Sequence, residues 1–350
     1  MLRNPPFPIS PEELTEDFLS ESLGKEVSSF SYKRIGSDRG MLGVVLLLNI
    51  SYSDGSKENK NLVCKIPALR EGSRANTKRG NNNERELRFY DELASITPVN
   101  TPQFHSGWYD PETENFLLIQ EAVDVDESVD QIKGISLEQA SLVLDEVASL
   151  HSKWWENPDL KKIEWLPKPS GRKSSLSFIA DAGWDPLCEL LNEELTKDEI
   201  SFGKRITSRL HEMLEALSNY PETLIHSDLR ADNLLFTREG NRVFIVDWQG
   251  ASKGPAGFDL SYFITMSLTV DSRRRNEKLL LDHYVNALKT DGKEVDQTEL
   301  FESYVDGILY GLVVACSLPL ISDEKEERVK ELATVMTRRS IEALKDHNRF

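Results

Sequence analysis

Three cysteines among 350 residues exclude a disulfide framework, and no two of them are spaced as metal ligands are. Cys64, Cys188 and Cys316 lie in apolar sequence and are expected in the core of a protein kept in a reducing compartment. Basic charge is also short. Lys and Arg number 42 against 59 Asp and Glu, for a net charge of −17. No nucleic-acid partner is expected, because phosphate backbones are bound by basic patches. Long hydrophobic runs are missing. The longest, Gly307 to Ile321, is too short to span a bilayer, and the opening MLRNPPFPIS has no apolar stretch of signal-peptide length. No membrane partner and a cytoplasmic location follow as expectations. Repeats and low-complexity tracts are absent as well.

What is present is enough for a core, since 39% of the residues are hydrophobic. The chain is too long for one small core, so two lobes are expected. Ser10-Pro11-Glu12-Glu13 reads as a capped helix start, with Ser10 and Glu13 forming a capping box and Gly24 the stop. Phe30 to Ile35, Val44 to Tyr52, Asn61 to Ile66, Phe104 to Tyr109 and Phe116 to Gln120 then carry strand patterning. From Asp124 that pattern is lost. Helices are expected over Ser136 to Trp155, Ser175 to Glu194, Phe202 to Ser218, Ala256 to Ser267, Ser272 to Leu288, Gln297 to Cys316 and Asp323 to Leu344. The fold class is therefore α+β, with an antiparallel-sheet lobe over 1–123 and a larger, mostly helical lobe over 124–350. The acidic excess lies mostly after Val123 and disfavours an anionic substrate there.

One stretch interrupts the helical region: LIHSDLRADNLLFTREGNRVFIVDWQGASKGPAGFDL, from Leu224 to Leu260. Asn233 to Phe236 and Val243 to Val246 read as two short strands about a Gly240 turn. Asp228, Asn233 and Asp247 are thereby set beside a hairpin. Two carboxylates and an amide oxygen in this order suit metal-assisted phosphoryl transfer. Asp228 would take the proton of an attacking hydroxyl, and Asn233 and Asp247 would hold Mg2+ on a triphosphate. His226 is expected to pack and hydrogen-bond the loop, and Asp259 to bond loop backbone from the start of a helix.

The wording HSDLRADN, VDWQ and GFDLSYF resembles the aminoglycoside-phosphotransferase superfamily of small-molecule kinases, with its choline-kinase and ecdysteroid-kinase-like branches nearest. The resemblance is strong from Leu224 to Phe263. These families carry Gly where Ser227 stands. The resemblance implies a bilobal protein-kinase-like fold, ATP and Mg2+ as cofactors, and a small-molecule hydroxyl as acceptor. It also implies that Lys65, in an apolar strand, reaches the nucleotide phosphates and pairs with Glu86, in a stretch resembling the family's E-x-x-F-Y. Backbone groups at Glu121 and Val123 would form the adenine-binding hinge. Gly36 and Gly40, between the first two strands, either cradle phosphates or simply serve a hairpin, since their spacing is not G-x-G-x-x-G. His151 and Trp184 are expected as packed side chains.

Two other functions compete. A protein kinase needs room for an activation loop, and only eleven residues separate Asp247 from Asp259. A nucleotide-binding scaffold without transfer activity would not need the whole constellation.

Overall fold

The computed structural model describes residues 5–35, 43–55, 61–67, 81–125, 129–321 and 327–348. Contacts divide the chain into two units, 1–97 with 101–124, and 98–100 with 125–350. Residues 98–100 join the second unit because Asn100 is tied into it. Its N–H donates to Glu146 at 2.8 Å, and its carbonyl accepts from Ile245 N at 2.9 Å.

The first unit is a five-stranded antiparallel sheet of β1 (Val27–Ile35), β2 (Gly43–Tyr52), β3 (Asn61–Pro67), β4 (Phe104–Tyr109) and β5 (Phe116–Glu121), in the order β1-β2-β3-β5-β4. Alternation decides its faces, because successive strand side chains point to opposite sides. Leu46, Leu48 and Ile50 of β2 and Leu62, Cys64 and Ile66 of β3 are fully buried on one side. Helix α1 (Glu16–Leu23) packs there, with Phe18 against Trp108 at 4.8 Å between ring centroids. Lys65 alternates to the other side and is level with Val45 and Leu118.

Helix α1 begins later than its sequence suggests. Pro11–Glu13 is a single 3-10 turn, and the cap is Thr15, whose Oγ1 accepts from Phe18 N at 3.1 Å. Ser10 caps nothing, and Glu13 accepts instead from Ile9 N at 2.9 Å. Extended backbone at Leu14 and Thr15 separates the two turns, and it leaves Leu14 buried in the core. Gly24 stops the helix at φ 65°.

The second unit is built on helices. The longer ones are α3 (Leu137–Trp154), α4 (Lys173–Leu190), α5 (Lys197–Thr207), α6 (Leu210–Leu217), α7 (Ala256–Ser267), α8 (Val270–Thr290), α9 (Gln297–Gly307), α10 (Leu309–Ile321) and α11 (Glu327–Asp346); α2 (Asn82–Arg88) belongs to the first unit. All twelve residues of α7 are buried, so it is the central helix. Glycines bring α9 against it. A Cβ on Gly257 would lie 2.1 Å from Ser303 Oγ, and one on Gly307 2.3 Å from Ser261 Oγ.

Two helices expected as continuous are broken. Phe202 to Ser218 divides between α5 and α6, and Gln297 to Cys316 divides at Ile308. Together α9 and α10 span Gln297–Ile321, long and apolar enough to cross a membrane by length and composition, so the stretch is longer than its core run suggests. In the fold 83% of its most apolar window is buried inside the protein. Cys64 and Cys316 are core residues, but Cys188 is only partly buried. Trp184 is buried, with its ring where a Cβ on Gly203 would otherwise fit.

Candidate active site

In the second unit, two small antiparallel ribbons hold the Leu224 to Leu260 stretch. β6 (Thr223–Ile225) pairs with β9 (Ser252–Gly254), and β7 (Leu234–Phe236) pairs with β8 (Val243–Ile245). The β7–β8 turn is closed by Gly240 N donating to Thr237 O at 2.8 Å, with Gly240 at φ 68°. Asn233 lies in a 3-10 turn just before β7 rather than in the strand itself.

The loop after β6 is fixed from beneath by Asp259 of α7. Its Oδ2 accepts from His226 N and its Oδ1 from Ser227 N, both at 2.7 Å. Asp259 is fully buried, and His151 Nε2 approaches Oδ2 at 3.4 Å. His151 Nδ1 meets the Tyr284 hydroxyl at 2.8 Å, so His151 is a core residue. His226 works within the loop: Nε2 lies 3.0 Å from Val246 O, and Nδ1 accepts from Asp228 N at 3.2 Å. Only a ring with its proton on Nε2 satisfies both bonds. The imidazole also meets Trp248 edge-on, at 4.6 Å.

Ser227 adopts φ 64°, a left-handed conformation in which glycine is unstrained. That is the physical reason for the glycine usual at this position. The serine is accepted, with its hydroxyl buried and unbonded among the described residues. Gly250 packs close by, where a Cβ would come within 2.6 Å of His226 O.

Asp228 and Asn233 are hydrogen-bonded to each other. Asn233 Nδ2 donates to Asp228 O at 2.8 Å and to Asp228 Oδ2 at 3.0 Å. With its amino group committed, the amide has a defined orientation, and Oδ1 has no donor among the described residues. Asp247 follows β8 at φ 68°, and its carboxylate lies within electrostatic reach of Asp228. A left-handed aspartate at a strand end is a strained conformation of the kind that collects at functional sites. The donor set is all oxygen and suits a hard cation. Two such oxygen donors, if they met one cation, would fit Mg2+ held jointly with phosphate oxygens and water rather than in a protein cage.

Burial raises the Asp228 carboxyl above its ordinary value. The neighbouring Arg230 opposes this, and the Asp247 carboxylate adds to it. Arg230 Nε lies 3.3 Å from Asp228 Oδ1, and Nη1 lies 2.8 Å from Asp232 Oδ2. Burial and the Asp228 charge together push the Tyr262 hydroxyl well above its ordinary value. The motif assigned no role to Arg230 or Asp232. Two opposite charges two positions apart, beside Asp228, were the available signal.

In the first unit, Lys65 Nζ and Glu86 Oε1 are 2.5 Å apart, with Glu86 fully buried. Glu86 lies on α2, which passes directly into a π-helical turn, Phe89–Leu93. Glu84 faces elsewhere and pairs with Arg88 at 3.4 Å. At the end of β5, Glu121 N donates to Gln103 O at 2.8 Å and its carboxylate accepts from Gln103 N at 3.1 Å. Val123 follows, partly buried, in chain without regular structure. Gly36 and Gly40 lie outside the described residues.

A five-stranded antiparallel sheet, a helical second unit and a loop with a bonded Asp–Asn pair ahead of a strand-end Asp define the protein-kinase-like fold of small-molecule kinases. The choline kinase of Cryptosporidium parvum has this fold, with a TM-score of 0.58 at 14% identity over 92% of this chain and 91% of that one. The chain belongs to the ecdysteroid kinase-like family, whose model matches residues 39–296. It is 26% identical over 194 residues to an uncharacterized kinase-like protein of Caenorhabditis elegans, covering 51% of this chain and 48% of that protein. It is also 26% identical over 162 residues to the 4-hydroxytryptamine kinase of Psilocybe cyanescens, covering 43% and 42%. The matches thus span about half of these relatives or less.

Proposed function

We propose that the protein is an ATP- and Mg2+-dependent phosphotransferase that places the γ-phosphate on a hydroxyl of a small molecule. The observation that carries this reading is the Asp228–Asn233 pair. One hydrogen-bonded unit presents a carboxylate able to accept a proton and an amide oxygen able to meet a cation. In the transfer, the acceptor oxygen bonds to the γ-phosphorus. The bond from that phosphorus to the bridging oxygen breaks, its electron pair leaves with ADP, and the acceptor proton passes to Asp228. Asn233 and Asp247 would hold Mg2+, which when bound neutralises charge on the phosphates. Lys65, fixed by Glu86, binds phosphate oxygens, and backbone at Glu121 and Val123 binds the base.

The acceptor class is best sought among positively charged alcohols. The protein carries a net charge of −17, one relative is a 4-hydroxytryptamine kinase, and a protein of the same fold is a choline kinase. The test is a panel of such alcohols, sugars and aminoglycosides with ADP release as readout, run beside Asp228→Asn. The expected result is acceptor-dependent ADP release that falls by about 10²-fold or more in the variant, the scale of lost general-base catalysis. Wild-type turnover in Asp228→Asn refutes the assigned role. Thermal stabilisation by Mg-ATP with transfer to no acceptor points instead to a nucleotide-binding protein without transfer activity.

A further inference from the structure

Proton uptake, cation holding and the lysine clamp leave Arg230 unused, although it touches the proposed base. Its guanidinium is anchored on two edges, Nη1 to Asp232 and Nε to Asp228. Asp232 is itself fixed, because its Oδ1 accepts from Gln131 N at 3.1 Å. The arginine side chain is 12% exposed, and Nη2 donates to nothing among the described residues. A planar fork held on two sides thus keeps one pair of N–H bonds for a ligand.

Charge balance says what that ligand is. Asp228, Asp232 and Asp247 are three carboxylates within one loop and its hairpin, and a terminal phosphoryl group brings further negative charge. Among the described residues Arg230 is the one cation in ion-pair contact with Asp228 or Asp232. A Mg2+ held by Asn233 and Asp247 would offset the Asp247 carboxylate and part of the phosphate charge, which leaves Asp228 facing the transferring group with Arg230 as the cation in contact with it.

We propose that Arg230 is a phosphoryl-binding residue, donating from Nη2 to a non-bridging oxygen of the γ-phosphoryl group as it passes to the acceptor. This rests on the phosphotransferase reading above. The non-bridging oxygens keep their charge while the acceptor bond forms and the bridging bond breaks, so the contact persists through the step. Guanidinium–phosphate bonds are charge-assisted and among the stronger ones in water-poor sites.

The test is isothermal titration of wild type, Arg230→Met and Arg230→Lys with Mg-ADP and with Mg-AMP-PNP, which adds a γ-phosphoryl group that cannot transfer. The expected result is unchanged Mg-ADP affinity and Mg-AMP-PNP affinity weakened about 10–100-fold in Arg230→Met, the loss of one hydrogen bond to a charged group. Arg230→Lys retains the charge without the fork and is expected to lose less, again for Mg-AMP-PNP alone. Equal losses for both nucleotides, or no loss for either, overturn the proposal. If Arg230→Met lacks a cooperative unfolding transition, Arg230→Lys decides alone, and wild-type affinity for both nucleotides then overturns the proposal. A wild type that binds neither nucleotide overturns the phosphotransferase reading, and the proposal with it.

Discussion

Replacing Asp259 tests whether the loop is held from below as its geometry indicates. The carboxylate accepts two backbone N–H bonds at 2.7 Å, from His226 and Ser227, and none of its surface meets water. A hydrogen bond to a charged acceptor is worth about 1.5–3 kcal/mol net, so losing both costs about 3–6 kcal/mol in Asp259→Ala. The isosteric Asp259→Asn keeps one oxygen but turns an amino group toward the other N–H. One bond is weakened and one is lost, for a cost of about 2–4 kcal/mol. For a unit of this size each kcal/mol lowers the melting temperature by about 2–4 °C, so Asp259→Asn should melt about 5–15 °C below wild type. Hydrogen exchange at the amides of His226 and Ser227 should accelerate in the same variants, because those amides lose their acceptor. The two observables together separate a local anchor from a generally destabilising change. Asp259→Asn melting within about 2 °C of wild type, less than 1 kcal/mol of the expected cost, would refute the reasoning. So would faster exchange elsewhere with these two amides still protected.

Two further outcomes follow from the same structure. Gly250→Ala places a Cβ 2.6 Å from His226 O, so backbone must shift, at a cost of about 1–3 kcal/mol; thermal unfolding should show the loss, and a neutral variant would mean the turn relaxes freely. At the junction of α8 and α11, burial opposes ionisation of Glu277, but close contact with His347 and a hydrogen bond from Arg273 outweigh it and hold the carboxyl below its ordinary 4.5. Glu342 is likewise held low by Lys345 and Arg274, and Asp346 by Arg274 and Arg273, against burial. A depressed carboxyl adds stability that is complete above its unfolded value and is lost as pH falls through the lower folded one. Melting temperature should therefore drop on acidification below about pH 4.5, and Glu277→Gln should flatten that drop; an unchanged acid slope in the variant contradicts the assignment.

Particular residues show why some of this was legible beforehand. The five strands could be read because short runs rich in apolar, β-branched and aromatic residues are bounded by turn and loop residues, and burial then alternates along β2 and β3. Asp259 could be read because a carboxylate in the first turn of an apolar helix needs backbone donors to be buried. The break between α5 and α6 was not legible, since the apolar spacing continues across Ser208 and Arg209 and only packing ends the first helix there. The Thr15 cap was equally hidden, because Ser10-Pro11-Glu12-Glu13 satisfies every local rule for a helix start. Arg230 escaped because motif spacing assigns roles to positions and says nothing of which side chains reach across a turn.

By itself the sequence determined the elements, the strand-rich first part and the helical second, and the short list of polar residues able to do chemistry. These follow from local periodicity and residue type, which need no knowledge of distant chain. Only the tertiary structure decided that Asn233 spends its amino group on Asp228 and so leaves its oxygen without a donor among the described residues. It also decided that Asp259 reaches two amides some thirty positions earlier, and that Arg230 is held between two acids with one edge to spare. Those are matters of distance and direction between side chains, and a linear order of residues carries neither.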